Sequence, residues 1–446
     1  MQTSRRRLTN SKTIILGFFC IIMVGALLLM LPISTKSGQE TTFLGALFTS
    51  VSATCVTGLV VYDTFTHWTT FGQLVLLILI QIGGLGFITI STSLMIALRR
   101  KIGLSRRALI QESLSTLQIR GSVMLVRRIV IGTLFFETVG AALLSIRFVQ
   151  DMGWGKGIYY GIFHAVSAFC NAGFDIMGYR GEYSSFCSYF DDPLVILTLS
   201  ALIIIGGIGF VVWEDLHINK WNVKRYRFQT KAVLLTTTLL LVGGTGLFLI
   251  MERNHLFAGM STGDKLLSAL FSAVTPRTAG FNSIDTASLS SGGMLTTIVL
   301  MFVGGSPGST AGGIKTTTLF VIVLYIRSYL LRQKDCVAFK HRMDTEVVKK
   351  ACIVVFIHLF LAIIGSMIIL SVQSLPMPDV LFEVFSAGGT VGMSTGITRQ
   401  LNDISKIVIM ILMFFGRMGS LTFAMSFTER RKTEEIRYMA EPIIVG

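Results

Sequence analysis

Apolar stretches of membrane-spanning length, separated by short polar connections, set the pattern of this chain. Residues 14–33, 74–98, 130–149, 194–212, 232–251, 353–372 and 407–427 are apolar over about 20 positions each, the length a helix needs to cross a hydrocarbon core. An eighth stretch, 291–303, stops at a run rich in glycine and serine and resumes at 319–329. The pattern predicts an all-α polytopic membrane protein with about eight spans. The first stretch reads as a span and not as a signal peptide, because it exceeds the usual apolar core of one and no small-residue cleavage site follows Pro32.

Between the two spans of each pair lies a shorter amphipathic segment, and the four segments read alike. They are 44–60 (LGALFTSVSATCVTGLV), 160–175 (YGIFHAVSAFCNAGFD), 267–282 (LSALFSAVTPRTAGFN) and 381–395 (LFEVFSAGGTVGMST). Each reads as a short helix with phenylalanine and small Ser/Ala residues, closed by a turn with glycine. Gly58, Gly173, Gly280 and Gly392 recur at intervals of 115, 107 and 112 residues (173 − 58, 280 − 173, 392 − 280). Such a period marks an array of one structural unit. Segments too short to cross enter and leave by the same face. The expectation is four helix–pore-loop–helix repeats, bounded at 1–100, 101–219, 220–335 and 336–446, with four re-entrant pore helices besides the spans. A second glycine motif, beginning at Gly83, Gly206, Gly304 and Gly416, follows each turn by 25, 33, 24 and 24 residues (83 − 58, 206 − 173, 304 − 280, 416 − 392). Close helix packing is one reading of the first two.

Composition narrows the class. With 52% hydrophobic and 14% charged residues, the chain has too few charges to cover a soluble surface. A net charge of +15 suggests nucleic acid until its distribution is followed: basic residues gather at 5–7, 99–128, 220–231, 327–350 and 430–437, after every second span. The positive-inside rule then puts both termini and the three basic loops in the cytoplasm, so the four short loops enter from outside. The basic surface suits anionic lipid of the bilayer or an acidic cytosolic partner, and no nucleic acid is expected. The six cysteines show no CxxC and no neighbouring histidine, which speaks against a transition-metal site or a disulfide framework. Cys55 and Cys170, inside two loops, are expected to pack. The six histidines are scattered, which argues against an enzyme, and His164 is expected as a packed neutral imidazole.

Non-helical backbone inside a membrane is tolerated where it is buried in protein or lines water. Four such loops around one axis would point rings of carbonyl oxygens inward, replacing the hydration shell of a monovalent cation. Glycine reaches positive φ there with no side chain in the way. The candidate filter residues are Val56, Thr57 and Gly58; Asn171, Ala172 and Gly173; Thr278, Ala279 and Gly280; and Thr390, Val391 and Gly392. Asp63 and Asp175, just beyond two of the glycines, either concentrate cations or are ordinary solvated loop acids.

In these features the chain resembles the KtrB-type membrane subunits of the Ktr/Trk/HKT superfamily of potassium transporters. The resemblance implies a tetrameric-channel pore folded from one polypeptide, K⁺ as the transported ion, and K⁺ preference associated with glycine in all four filters. A serine in the first filter is associated with Na⁺ permeation, and this chain has Gly58. It further implies Na⁺ as a possible activator, a homodimer with one pore per protomer in the cell (plasma) membrane, and a cytosolic KtrA-type ring of RCK domains that binds ATP, ADP or NAD(H). No cofactor is expected in this chain. All four filters depart from the TVGYG signature of potassium channels, which points to fewer well-formed ion sites.

The interruption at 304–318 gathers Gly304, Gly305, Ser306, Pro307, Gly308, Gly312, Gly313 and Lys315, a composition that no continuous helix carries. Ile314 separates Gly313 from Lys315, so this is not a phosphate-binding GxxxxGK[ST] loop. A polar irregular stretch at membrane depth belongs beside a cavity, and the resemblance makes it an intramembrane gate below the filter. Arg417, in the last span, costs about 2.5–3.5 kcal/mol on insertion scales and should face a partner or water. It is expected to face the pore, repelling cations or bonding gate-loop carbonyls; the alternative is a packing pair with Glu383 or another acid. Glu137 is either structurally paired or a relay, and Glu252 is expected to be solvated. A transporter with alternating access is the main competing reading; such folds often use inverted repeats, whereas these share one orientation. Proton or sodium coupling stays open.

Overall fold

The computed structural model describes residues 10–100, 102–113, 121–220 and 222–419; the basic stretches 5–7 and 430–437 and the tail 428–446 lie outside them. The first quarter of the chain holds α1 (Asn10–Leu29), α2 (Phe43–Thr54), α3 (Thr64–His67), α4 (Thr70–Leu85) and α5 (Phe87–Ala97). The second holds α6 (Leu104–Ser113), α7 (Ser122–Met152), α8 (Trp154–Phe169), α9 (Pro193–Gly207) and α10 (Phe210–Asn219). The third holds α11 (Phe228–Met251), α12 (Thr262–Val274), α13 (Ser291–Phe302) and α14 (Thr316–Leu330). The fourth holds α15 (Thr345–Val372), α16 (Met377–Gly389) and α17 (Asp403–Met418). A two-residue hairpin, Val337–Ala338 against His341–Arg342, joins α14 to α15.

Each quarter therefore repeats an outer helix, a short pore helix and an inner helix. The outer helices α1, α7, α11 and α15 pass as membrane spans, and only 33%, 28%, 28% and 22% of their apolar windows are buried by the protein. The remainder of those apolar surfaces is left uncovered by this chain, as suits helices set in a bilayer. The pore helices α2, α8, α12 and α16 are instead packed inside, each burying a phenylalanine completely: Phe48, Phe163, Phe271 and Phe382. The inner helices begin alike because each has a side chain that accepts its first free N–H groups. Thr69 caps α4, Asp192 caps α9 with Pro193 at the first position, Ser290 caps α13 and Asn402 caps α17.

The inner helices end differently from the sequence expectation. The stretches 74–98 and 194–212 each read as one apolar passage, and in the structure each is broken: α4 and α5 meet at 96° and α9 and α10 at 95°. Gly86 (φ 80°) and Gly209 (φ 97°) sit at the two breaks in the left-handed region, where a right-handed helix cannot continue. Apolar composition runs through both bends, which is why hydropathy alone does not mark them. The preceding glycines do pack closely. A Cβ at Gly83, Gly206 or Gly416 would collide with the carbonyl oxygen of Thr54, Phe169 or Gly388 respectively. Each of those carbonyls stands four residues before its loop glycine, so three inner helices clasp the ends of three pore helices in one register.

Gly206→Val should therefore cost about 1–3 kcal/mol or more by overpacking, read as a lower thermal midpoint of the purified protein in detergent. Gly246→Ala, where an added Cβ meets nothing within 4 Å, should leave that midpoint unchanged or slightly higher.

Candidate functional site

The four loops after the pore helices share an unusual backbone. Val56 (φ 57°), Asn171 (φ 56°), Thr278 (φ 73°) and Thr390 (φ 52°) are left-handed, as are Gly58 (φ 94°), Gly173 (φ 68°), Gly280 (φ 82°) and Gly392 (φ 92°). Thr57, Ala172, Ala279 and Val391, between them, are not. Left-handed β-branched residues such as Val56, Thr278 and Thr390 cost about 1–3 kcal/mol each unless their surroundings over-determine them. Here the pore-helix ends do so: Thr57, Ala172 and Val391 N–H groups each donate at 2.8 Å to the carbonyls of Ser52, Ser167 and Ser386.

Hydroxyl side chains finish the loops. The Gly58 and Gly392 N–H groups donate to Ser52 Oγ and Ser386 Oγ at 3.1 Å, while Ser167 Oγ and Thr275 Oγ1 donate to the Phe174 and Phe281 carbonyls at 2.7 and 2.6 Å. These four hydroxyls were passed over as generic small residues; their signal is a Ser or Thr five or six residues before each glycine. Asn171 joins neighbouring loops, accepting from Thr278 Oγ1 at 3.2 Å while its amide donates to the Ala168 and Ile203 carbonyls at 3.1 and 3.2 Å.

The loops close into a ring. A Cβ on Gly58 would strike the Ala172 carbonyl oxygen, one on Gly173 that of Ala279, one on Gly280 that of Val391, and one on Gly392 that of Thr57. Each quarter thus abuts the next, and the fourth abuts the first. All twelve candidate filter residues lie in this ring.

Below the ring, the run from Val303 to Lys315 is fixed to the second and fourth quarters. Ser306 N–H donates to the Gly207 carbonyl at 2.9 Å, Thr310 Oγ1 to Phe169 O at 3.1 Å, and Gly313 N–H to Gly416 O at 3.3 Å. It lies directly against the ring loops: a Cβ on Gly304 would meet Thr278, and one on Gly312 would meet Thr390. Lys315 Nζ folds back to the Ala311 and Gly312 carbonyls at 2.8 and 3.2 Å. Arg417 donates to the carbonyls of Thr310 and Gly83, and to that of Gly84 at 2.9 Å. Its partners are carbonyls, including one in the irregular run. The alternative pairing with Glu383 is not formed, since Glu383 accepts from Thr398 Oγ1.

On the opposite side the ring opens into a cavity of about 170 Å³ lined by all four loop glycines, Asp63, Asp175, Tyr183 and Arg399 among others. Asp63 is buried and fully engaged: Oδ1 accepts from Phe65 and Thr66 N–H, and Oδ2 from Tyr183 N–H at 3.0 Å. It is not an ordinary solvated acid. Asp175 accepts from Met177 N–H at 3.0 Å. Desolvation at this half-buried position, reinforced by Asp63, raises its pKa to about 7 despite that hydrogen bond. The segment 177–192 forms a strap across the mouth. Tyr183 OH reaches Val61 O at 3.1 Å, Phe186 N–H reaches Asn282 O at 2.8 Å, and Arg399 stacks its guanidinium 4.3 Å from the Tyr183 ring centre.

Other expectations fare unevenly. Cys55 and Cys170 are buried. His164 is buried, with Nδ1–H donating to Tyr160 O at 2.8 Å and Nε2 accepting from Ile176 N–H at 3.1 Å, as a neutral ring does. Glu252 is not solvated but fully buried, accepting from Ser290 N–H and Oγ at 3.0 and 2.6 Å, because it anchors the cap of α13. Among the described residues no group of three or more His, Cys, Asp or Glu side chains could hold a metal ion.

Comparison with known proteins agrees with this architecture. The profile of the TrkH family, described as a cation transport protein, matches residues 4–436. The potassium/sodium uptake protein NtpJ of Enterococcus hirae is 39% identical over 99% of this chain and 98% of the relative. The Ktr system potassium uptake protein B of Bacillus subtilis is 41% identical over 99% of this chain and 97% of the relative. In three dimensions the chain is similar to the potassium transporter TrkH from Vibrio parahaemolyticus, with a TM-score of 0.76 over 96% of this chain and 87% of that one, at 17% identity. Four glycine-bearing loops abutting in a closed order and the match along almost the whole sequence lead to one conclusion: the chain belongs to the TrkH family of cation transport proteins.

Proposed function

We propose that this chain takes up potassium across the plasma membrane through the carbonyl ring, acting as the selectivity filter. The observation that carries the reading is the closed order of contacts from Gly58 through Gly173 and Gly280 to Gly392 and back to Thr57. Carbonyl oxygens held in a ring replace the hydration shell of a monovalent cation. The backbone supplies them, so the side chains at Val56, Asn171, Thr278 and Thr390 are free to differ. Relatives named for potassium uptake, one of them for potassium and sodium, support K⁺ as the cargo and Na⁺ as a second transported or activating ion.

In the proposed cycle a cation loses water in the 170 Å³ mouth, passes the ring and meets the run from Gly304 to Lys315. That run, with Gly304, Gly305, Ser306, Pro307, Gly308, Gly312 and Gly313, is the gate. Lys315 and Arg417 place two positive charges below the ring and tie carbonyls that would otherwise face the path. Opening requires these ties to be released. The names of the Ktr relatives refer to a system, which supports a separate regulatory subunit: a cytosolic ring of KtrA type with RCK domains, carrying ATP, ADP or NAD(H). A homodimer with both termini in the cytoplasm, and repeat boundaries near residues 100, 219 and 335, complete the reading. The basic loops on the side opposite the mouth support that orientation.

Rubidium uptake into liposomes holding the purified chain, under an imposed K⁺ gradient with and without a regulatory ring, tests the proposal; no flux in either state would overturn it. Gly58→Ser should make Na⁺ a better competitor of that uptake, by about tenfold in relative half-inhibitory concentration if one carbonyl site is weakened by roughly 1.4 kcal/mol. Arg417→Ala should raise the basal rate and weaken its control, and an unchanged rate and unchanged control would exclude it from the gate. Asp175, raised to about 7, is protonated below that pH and ionised above it. The KM for Rb⁺ should therefore rise as the pH at the mouth falls through 7, and Asp175→Asn should hold KM at the high value across the range.

A further inference from the structure

Glu137 lies midway along α7 and is only 7% exposed, a carboxylate at membrane depth that the proposed ion path does not touch. Both of its oxygens accept from a single group, Gln81 Nε2, at 3.0 and 3.2 Å. The other end of that amide, Gln81 Oε1, accepts from the Cys170 thiol at 3.3 Å. Cys170 caps α8 and directly precedes Asn171, Ala172 and Gly173. Helix α4 presses on the same atom, since a Cβ at Gly84 would come within 2.7 Å of Cys170 Sγ. Gly83 and Gly84, on the next part of that turn, are the residues whose carbonyls hold Arg417.

A carboxamide can face either way round, and its neighbours decide. Both Glu137 oxygens accept from Nε2, and with Nε2 held there Oε1 is turned toward the Cys170 thiol, a donor. Replacing Glu137 by an apolar side chain removes the reason for that orientation and leaves a buried amide to find other partners.

We propose that Glu137 and Gln81 are positioning residues for ion selection: the carboxylate sets the amide, and the amide sets the second loop of the ring through Cys170. The inference rests on the ring being the filter. A merely structural role would lower the amount of folded protein, or the flux of all ions together. A positioning role changes the ratio in which the ring accepts Na⁺ and K⁺.

The measurement is Rb⁺ uptake by the full chain in liposomes, with Na⁺ and K⁺ as competitors, expressed as the ratio of their half-inhibitory concentrations. Glu137→Leu and Gln81→Met should each shift that ratio toward Na⁺ by about 3- to 10-fold, and the double variant should go no further than the larger single effect. Glu137→Gln, which keeps an acceptor for Nε2, should stay within about twofold of the parent. Gln81→Met, similar in length and uncharged, decides the matter if Glu137→Leu is not recovered in the membrane. An unchanged ratio in Gln81→Met, alongside a shifted ratio in Gly58→Ser, overturns this inference and leaves the filter standing. An unchanged ratio in Gly58→Ser as well overturns the filter reading itself.

Discussion

A peptide carbonyl within hydrocarbon must find a donor, a cation or water, and this requirement governs the architecture. Four pore helices end inside the protein, each leaving carbonyls that the helix itself cannot satisfy. Nearby N–H groups and hydroxyls take some of them: Thr57, Ala172 and Val391 N–H donate to the Ser52, Ser167 and Ser386 carbonyls, while Ser167 and Thr275 hydroxyls donate to carbonyls just beyond. Those left over are the ones the proposed filter would offer to a cation. The irregular run below the ring raises the same difficulty and resolves it with side-chain cations, Lys315 and Arg417, in place of a passing ion. The proposed filter and the proposed gate are thus two answers to one shortage of donors.

The glycines illustrate how position changes the meaning of one residue type. Gly58, Gly173, Gly280 and Gly392 combine positive φ with close contact, so both backbone freedom and the missing Cβ matter. Gly83, Gly206 and Gly416 serve close approach alone, letting an inner helix touch a carbonyl of a pore-helix end. Gly86 and Gly209 serve direction, turning two inner helices through nearly a right angle.

Much of this was legible in the sequence because repetition makes a weak local signal strong. One glycine-closed amphipathic segment is unremarkable, whereas four at a steady interval define a common unit and a common orientation. The bends at Gly86 and Gly209 were not legible in the same way, since the apolar runs continue through them and hydropathy carries no information about φ. Glu252 was misread because its partner, the N-terminus of α13, is 38 residues away and adjacency at that range exists only after folding. A carbonyl of the irregular run was expected as a partner of Arg417, whereas those of Gly83 and Gly84, 334 and 333 residues away, leave no trace in a side-chain pattern. The loop hydroxyls were visible but undistinguished, because Ser and Thr are common in small-residue segments and only the geometry singles out one per loop.

The departures from fourfold likeness gather in the third quarter. Phe271 stands nine residues before its glycine where Phe48, Phe163 and Phe382 stand ten before theirs, and among the described residues the inner helix of that quarter is the one split by a long irregular run. The order of contacts around the ring adds a temporal aspect to this plan. Gly392 abuts the Thr57 carbonyl, so the last quarter made by the ribosome closes against the first. Until then the growing chain offers three sides of an open trough, and contacts of such long separation form late. A chain short of its last quarter consequently holds no closed ring, and the ring exists only once residues more than 300 positions apart have met.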